Sequence, residues 1–94
     1  MYARLVHFTL GPGTRDTGEG LSRQFDPLLR ARDGFVSATF FADYDNGVYG
    51  ALVLWDSKEA AEATIAELEP QLQAAISDIV TEPPLLGLYE VFEP

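Results

Sequence analysis

The sequence predicts an α+β fold: a ferredoxin-like β-α-β-β-α-β order with one antiparallel sheet. Three observations predict it. Apolar periodicity alternates between strand-like and helix-like runs in that order along the 94 residues. Glycine, proline and Asn-Gly signals fall at the junctions between the runs. The second half of the chain also echoes the first. Leu5-Val6-His7-Phe8 resembles Leu52-Val53-Leu54-Trp55, and Phe25 to Ala31 resembles Leu68 to Ala74, at offsets of 47 and 43 residues. Two βαβ halves related by a pseudo-twofold axis would produce such an echo.

Each element has its own signal. Tyr2 to Leu10 is apolar and β-branched or aromatic at most positions, reads as a strand, and stops at Gly11-Pro12-Gly13. From Gly18 to Ala31, the residues Leu21, Phe25, Leu28 and Leu29 mark one face of a helix. Asp16 or Thr17 is expected to cap it, Pro27 to kink it by removing a backbone hydrogen bond, and Asp33-Gly34 to end it. Phe35 to Ala42 reads as a second strand and Val48 to Trp55 as a third. Between them Tyr44-Asp45-Asn46-Gly47 is a hairpin turn whose Asn-Gly pair suits two residues at positive φ. Asp56-Ser57 caps a second helix, with Glu59 placed as in a capping box. That helix is expected to run to about Ile79, with a kink or break near Pro70. Its stripe is Ala61, Ile65, Leu68, Leu72, Ala75, Ile76 and Ile79. Glu82-Pro83-Pro84 is a stiff linker, and Leu86 to Glu93 a final strand.

Strand alternation assigns faces. Val6, Phe8, Val53 and Trp55 share one side of the sheet; Leu5, His7, Leu52 and Leu54 share the other. Right-handed crossovers put both helices on one side. The side they leave open still carries leucines, more apolar surface than a monomer usually exposes. The expectation is a homodimer through that face, with Leu5, His7, Leu52 and Leu54 in the contact.

Composition bounds the chemistry. A length of 94 residues suits one domain over residues 1–94. With 47% hydrophobic residues the chain is too apolar to be disordered. No cysteine is present, which excludes disulfides, zinc-thiolate sites and thiol catalysis. One histidine excludes multi-histidine metal centres. The net charge of −9 argues against nucleic acid as a partner. The charge is uneven: residues 1–32 hold five arginines against three acids, whereas residues 33–94 hold Lys58 against twelve. The acidic part reads as a solvated surface. No apolar run approaches the ~18 residues of a membrane span, and no signal-peptide pattern opens the chain, so a cytoplasmic protein is expected.

The motifs resemble a known family. Leu54-Trp55-Asp56-Ser57-Lys58-Glu59-Ala60 is similar to the strand-end Trp-x-Ser-x-Glu-Ala signature of antibiotic biosynthesis monooxygenase domains. Phe8 to Asp16 resembles their first strand and the Pro-Gly turn after it, and Asp33-Gly34-Phe35 stands where they carry Pro-Gly-Phe. The resemblance implies a dimeric α+β barrel, in which two such sheets close on each other. It does not imply one reaction. Some relatives oxidise polyketide precursors with molecular oxygen and no cofactor; others bind and cleave haem; many have no known activity. Ligands of active relatives lie between sheet and helices, near the residue that matches Trp55. Haem-degrading relatives carry an axial histidine on the second helix and an asparagine near the position of Val6. This sequence has neither, so haem chemistry is not expected.

The candidate site follows from face and resemblance together. Val6, Phe8, Phe25, Leu29, Val53 and Trp55 are expected to line an apolar pocket, with Trp55 as the residue that stacks on a planar aromatic ligand. Arg4 shares their parity and is placed to edge the pocket and pair with an acid. His7, the one side chain that ordinarily titrates near neutrality, falls on the other face. Tyr44, Tyr49 and Tyr89 are phenol donors available to a substrate oxygen. Glu59, Glu62, Glu67 and Glu69 read as a solvated helix face, and neither a metal nor a cofactor is expected. The function expected is a cofactor-independent monooxygenase acting on a small aromatic substrate. The alternative is a ligand-binding or scaffold dimer of the same fold without chemistry.

Overall fold

A computed structural model describes residues 1–94. The elements are β1 (Tyr2–Thr9), α1 (Arg15–Arg30), β2 (Phe35–Asp43), β3 (Val48–Trp55), α2 (Lys58–Ile76) and β4 (Leu85–Glu90). The strands form one sheet in the order β2-β3-β1-β4, with every neighbouring pair antiparallel. This is the ferredoxin-like α+β arrangement. The strands that lead into the helices, β1 and β3, lie side by side in the middle.

Register assigns the faces. Tyr2 pairs with Trp55, Arg4 with Val53, Val6 with Ala51 and Phe8 with Tyr49. Directly paired residues point the same way, so these eight share the helix-covered side. Leu86 and Leu88 join them from β4, and Ala38 and Phe40 from β2. The open side carries Leu5 opposite Leu52, Ala3 opposite Leu54, and His7 opposite Gly50 and Leu85. A bulge between Phe35 and Ser37 resets the alternation at the start of β2.

The helices differ from the sequence expectation at their ends. α1 begins at Arg15, three residues before Gly18, and its cap position is Thr14 rather than Asp16 or Thr17. The Thr14 hydroxyl does not close the helix. It donates to the Gly11 carbonyl at 2.7 Å and lies 3.0 Å from the Tyr49 hydroxyl, so a tertiary contact sets the start. The helix continues through Pro27 to Arg30. Leu28 lies off its buried face, 38% exposed, which leaves Leu21, Phe25 and Leu29 at a strict four-residue spacing.

In α2 the cap is Ser57, whose hydroxyl accepts from the Ala60 amide at 3.1 Å; Asp56 makes no capping box. The helix runs through Pro70 and ends at Ile76, leaving Ile79 41% exposed. The chain turns there because the Thr81 amide must reach the Thr9 carbonyl, 2.9 Å away. β4 stops at Glu90 rather than Glu93 because Glu90 already faces Tyr2, the first residue of β1. Only the Val91 amide finds another acceptor, the Met1 carbonyl at 2.9 Å.

The β2–β3 turn needs one residue at positive φ, not two. Gly47 has φ +67°, while Asn46 stays at negative φ and donates through its side chain to Asp43 at 2.7 Å. A Cβ on Gly47 would stand 1.7 Å from the Gly11 carbonyl oxygen. Gly20, in α1, faces open space. Gly47→Ala is therefore expected to cost about 2 kcal/mol or more through strain and collision. Gly20→Ala should stabilise by up to ~1 kcal/mol through helix propensity. Urea unfolding of the two variants beside wild type reads both signs.

Candidate functional site

The sheet and helices do not meet in one continuous core. One buried cluster joins Phe8, Leu10, Tyr49 and Ile76; another joins Val53, Trp55 and Ala61. Between them lies a cavity of about 100 Å³, lined from both clusters. The gap has a sequence cause. On the helix-covered side of β3, Ala51 stands between Tyr49 and Val53 and offers only a methyl group where a larger residue would fill the space.

Val6, Phe8, Phe25, Leu29, Val53 and Trp55 all line this cavity. Trp55 is 1% exposed and meets Phe35 edge-on, with ring centroids 5.9 Å apart. Its position follows from the end of β3, where the strand gives way to the Ser57 cap and α2. Phe25 is buried yet belongs to neither cluster, so it borders the empty space. Leu5, His7, Leu52 and Leu54 occupy the far side of the sheet. There the His7 ring lies 6.3 Å from that of Phe41.

The polar groups of the wall are few. The Thr64 hydroxyl donates to the Ala60 carbonyl at 2.9 Å, and that of Ser22 to the Gly18 carbonyl at 3.3 Å. The Tyr49 hydroxyl is held by Thr14. Two charged residues line the cavity: Arg4 from β1 and Glu69 from α2, with Nη2 and Oε1 2.8 Å apart. Their side chains are 13% and 28% exposed. No buried side-chain nitrogen or oxygen lacks a partner. The cavity is thus apolar with one shielded ion pair in its wall.

Glu69 corrects the sequence reading of the second-helix acids as a solvated face. It follows Leu68 and stands four residues after Ile65 and three before Leu72, on the edge of the buried stripe. That spacing was the available signal. Glu62 and Glu67 are solvent-facing, paired with Lys58 and Arg32 respectively. Of the other tyrosines, Tyr89 is exposed on the open side of the sheet, and Tyr44 lies outside the cavity.

Tyr44 belongs to a groove of about 390 Å³ between α1 and β2, which shares Ser22, Phe40 and Tyr49 with the cavity wall. Beside it the Tyr44 hydroxyl donates to Glu19 at 2.7 Å and Arg15 to the same carboxylate at 3.0 Å. The Arg15 guanidinium also lies over the Tyr44 ring, 4.1 Å from its centroid. These bonds, Tyr44 first and Arg15 second, hold the Glu19 carboxyl below its ordinary range, and the Tyr44–Glu19 bond pushes the phenol up. No group of three His, Asp or Glu residues is placed to hold a metal ion. No helix is long and apolar enough to cross a membrane.

Solved structures share this fold. The monooxygenase from the gene ActVA-Orf6 of Streptomyces coelicolor, in complex with Nanaomycin D, matches with a TM-score of 0.79 and 23% identity over 99% of this chain and 88% of that one. An antibiotic biosynthesis monooxygenase matches with a TM-score of 0.80 and 17% identity over 99% of this chain and all of the other. The fold is that of the antibiotic biosynthesis monooxygenases. SnoaB, a cofactor-independent oxygenase from Streptomyces nogalater, matches with a TM-score of 0.77 and 18% identity over 99% and 94% of the two chains. No family model and no curated protein matches the sequence. At these identities the monooxygenase likeness is one of fold.

The Glu19 cluster makes a titration testable. A lowered carboxyl pKa means a stabilising contribution that is complete above the ordinary glutamate range. It is lost as pH falls through the lowered value. Carbon-detected NMR of the side-chain carboxyls should find Glu19 titrating below the ordinary glutamate value, and Tyr44→Phe should move it upward.

Proposed function

We propose that the protein is a cofactor-independent monooxygenase acting on a small hydroxylated aromatic substrate of the polyketide kind. The observation that carries this reading is the apolar cavity between sheet and helices, walled by Trp55 and one ion pair. Support comes from the shared fold: one of its holders was crystallised with Nanaomycin D, and another is a cofactor-independent oxygenase. An electron-rich ring, once deprotonated, passes electrons to dioxygen directly. The protein's tasks are then to bind the ring, exclude water and steady the anion.

Size favours a fused ring system that spans two spaces. An apolar cavity of ~150 Å³ holds one benzene, so about 100 Å³ takes little more than one ring edge inside. The adjoining groove of about 390 Å³ takes the remainder, past Ser22, Phe40 and Tyr49. Trp55 is the residue in contact with the buried ring.

A second reading has one observation in its favour. Every buried polar side-chain atom is already hydrogen-bonded, so an apolar ligand could lodge without any reaction. Oxygen uptake with a dihydroxyanthracene-type probe separates the two. Turnover by wild type, lowered about tenfold in Trp55→Phe (~1.4 kcal/mol of barrier), supports the monooxygenase. Quenching of Trp55 emission with no turnover across a panel of hydroxylated polycycles ends that reading in favour of the binding module.

The same proposal includes a homodimer through the open side of the sheet. That side carries Leu52, Phe41, Leu85 and Tyr89, each 39–54% exposed, beside Leu5, His7 and Leu54. Such a patch is more than a monomer leaves in water. Sedimentation equilibrium should return twice the 10.3 kDa chain mass. Leu52→Asp should return the single mass with its far-ultraviolet spectrum unchanged.

A further inference from the structure

The monooxygenase reading leaves open which group starts the reaction, and the inference that follows rests on that reading. The cavity wall narrows the choice. His7 is on the wrong side of the sheet. Tyr49 has its hydroxyl engaged with Thr14. Glu69 is the one carboxylate among the lining residues, and Arg4 the one cation.

The pair is unlike the other ion pairs of the chain. Arg15–Glu19, Arg23–Glu19, Arg30–Asp26 and Lys58–Glu62 are neighbours on one helix surface, and in Arg32–Glu67 the carboxylate side chain is 61% exposed. Arg4–Glu69 instead joins a central strand to a helix with both groups shielded. Partly shielding two charges beside an apolar wall offsets much of what their attraction adds to stability. The contact is also single, one guanidinium nitrogen to one carboxylate oxygen. Arg4 keeps further N–H donors, and Glu69 keeps a second oxygen as acceptor.

We infer that Glu69 is the general base of this site and that Arg4 holds the oxyanion it creates. The substrate is the hydroxylated aromatic already proposed, taken here with a hydrogen-bearing carbon para to its hydroxyl. The substrate O–H bond breaks and its proton passes to the Glu69 carboxylate. Arg4 turns its donors to the new oxyanion. The para carbon forms a bond to dioxygen, which becomes a peroxide. The proton returns from Glu69 to the outer peroxide oxygen. Water then leaves, taking that outer oxygen and the hydrogen of the para carbon, and the carbon becomes a carbonyl. One oxygen atom stays in the product, the other is in water, and the substrate supplies all four electrons. Glu69 ends as it began.

The test is oxygen uptake against pH for wild type, Glu69→Gln and Arg4→Met, with folding checked by circular dichroism. Glu69→Gln keeps the shape and the acceptor oxygen facing Arg4. It should lose about 10²–10⁴-fold in rate at neutral pH, the usual worth of a general base. Its rate should recover as pH rises through the ionisation of the substrate's own hydroxyl, because a pre-formed phenolate needs no base. Arg4→Met should stay slow at every pH. An active wild type with a Glu69→Gln variant of equal rate and equal pH profile overturns the inference and leaves the monooxygenase reading standing. A wild type inactive on every probe fails the monooxygenase reading instead. The proton step is then judged with 4-nitrophenol below its own pKa. Wild type should turn it to the coloured phenolate without releasing a proton to the medium, and Arg4→Met should not. Binding as the neutral phenol by wild type overturns the inference.

Discussion

The pairing of β1 with β3 is the constraint on which the other features rest. Tyr2 faces Trp55, Leu5 faces Leu52 and Phe8 faces Tyr49 along an unbroken antiparallel ladder. Side chains alternate with a period of two, so a slip of one residue would exchange the two sides of the sheet. Arg4 would leave the cavity and His7 would enter it. What holds the register is burial: Trp55, Val53, Tyr49 and Phe8 are each under 10% exposed only when all four face the helices. The helices are anchored to the same ladder, through Thr14 against Tyr49 at the start of α1 and the Ser57 cap just beyond Trp55.

The cavity is a consequence of unequal side-chain sizes on a well-ordered frame. Gly18 lets α1 approach the Tyr49 ring so closely that a Cβ there would stand 2.3 Å from it. Near Trp55, Ala61 has no exposed surface at all. The layers are therefore pinned at both ends. In the middle, Ala51 leaves space that neither helix can collapse into, since interiors relax only partly around missing volume. A shielded ion pair in the wall of that space brings strong, directional electrostatics to an otherwise apolar place.

Much of this was legible in the sequence, for reasons particular to the residues. β3 was read from Val48 to Trp55, its observed span, because Gly47 and the Asp56-Ser57 cap bracket it. Strand parity, with the internal echo relating β1 to β3, separated the Val6 and Trp55 side from the Leu5 and His7 side, because alternation within a strand is local and the echo supplies the phase between the two strands. The helix ends were less legible. Thr14 caps nothing by itself and serves because Tyr49 is near. Ile79 fits the helical stripe but lies past the end, because Thr81 is committed to Thr9. Leu28 continues an apolar spacing yet faces outward, since the contact face of α1 is only as wide as β2 and β3 allow. Glu69 was set aside for the opposite reason: its charge outweighed its position on the stripe.

The sequence by itself determined the order of elements, the α+β class and the side of the sheet on which the β1 and β3 residues lie. Those are local properties, set by periodicity, turn chemistry and capping within a few residues. Tertiary structure alone decided that Arg4 and Glu69, 65 positions apart, meet at 2.8 Å in the wall of a cavity. It also decided that the cavity exists, because empty volume is a property of two packed layers and of no single segment. Distance along the chain carries no record of which charges converge once helix and sheet are stacked.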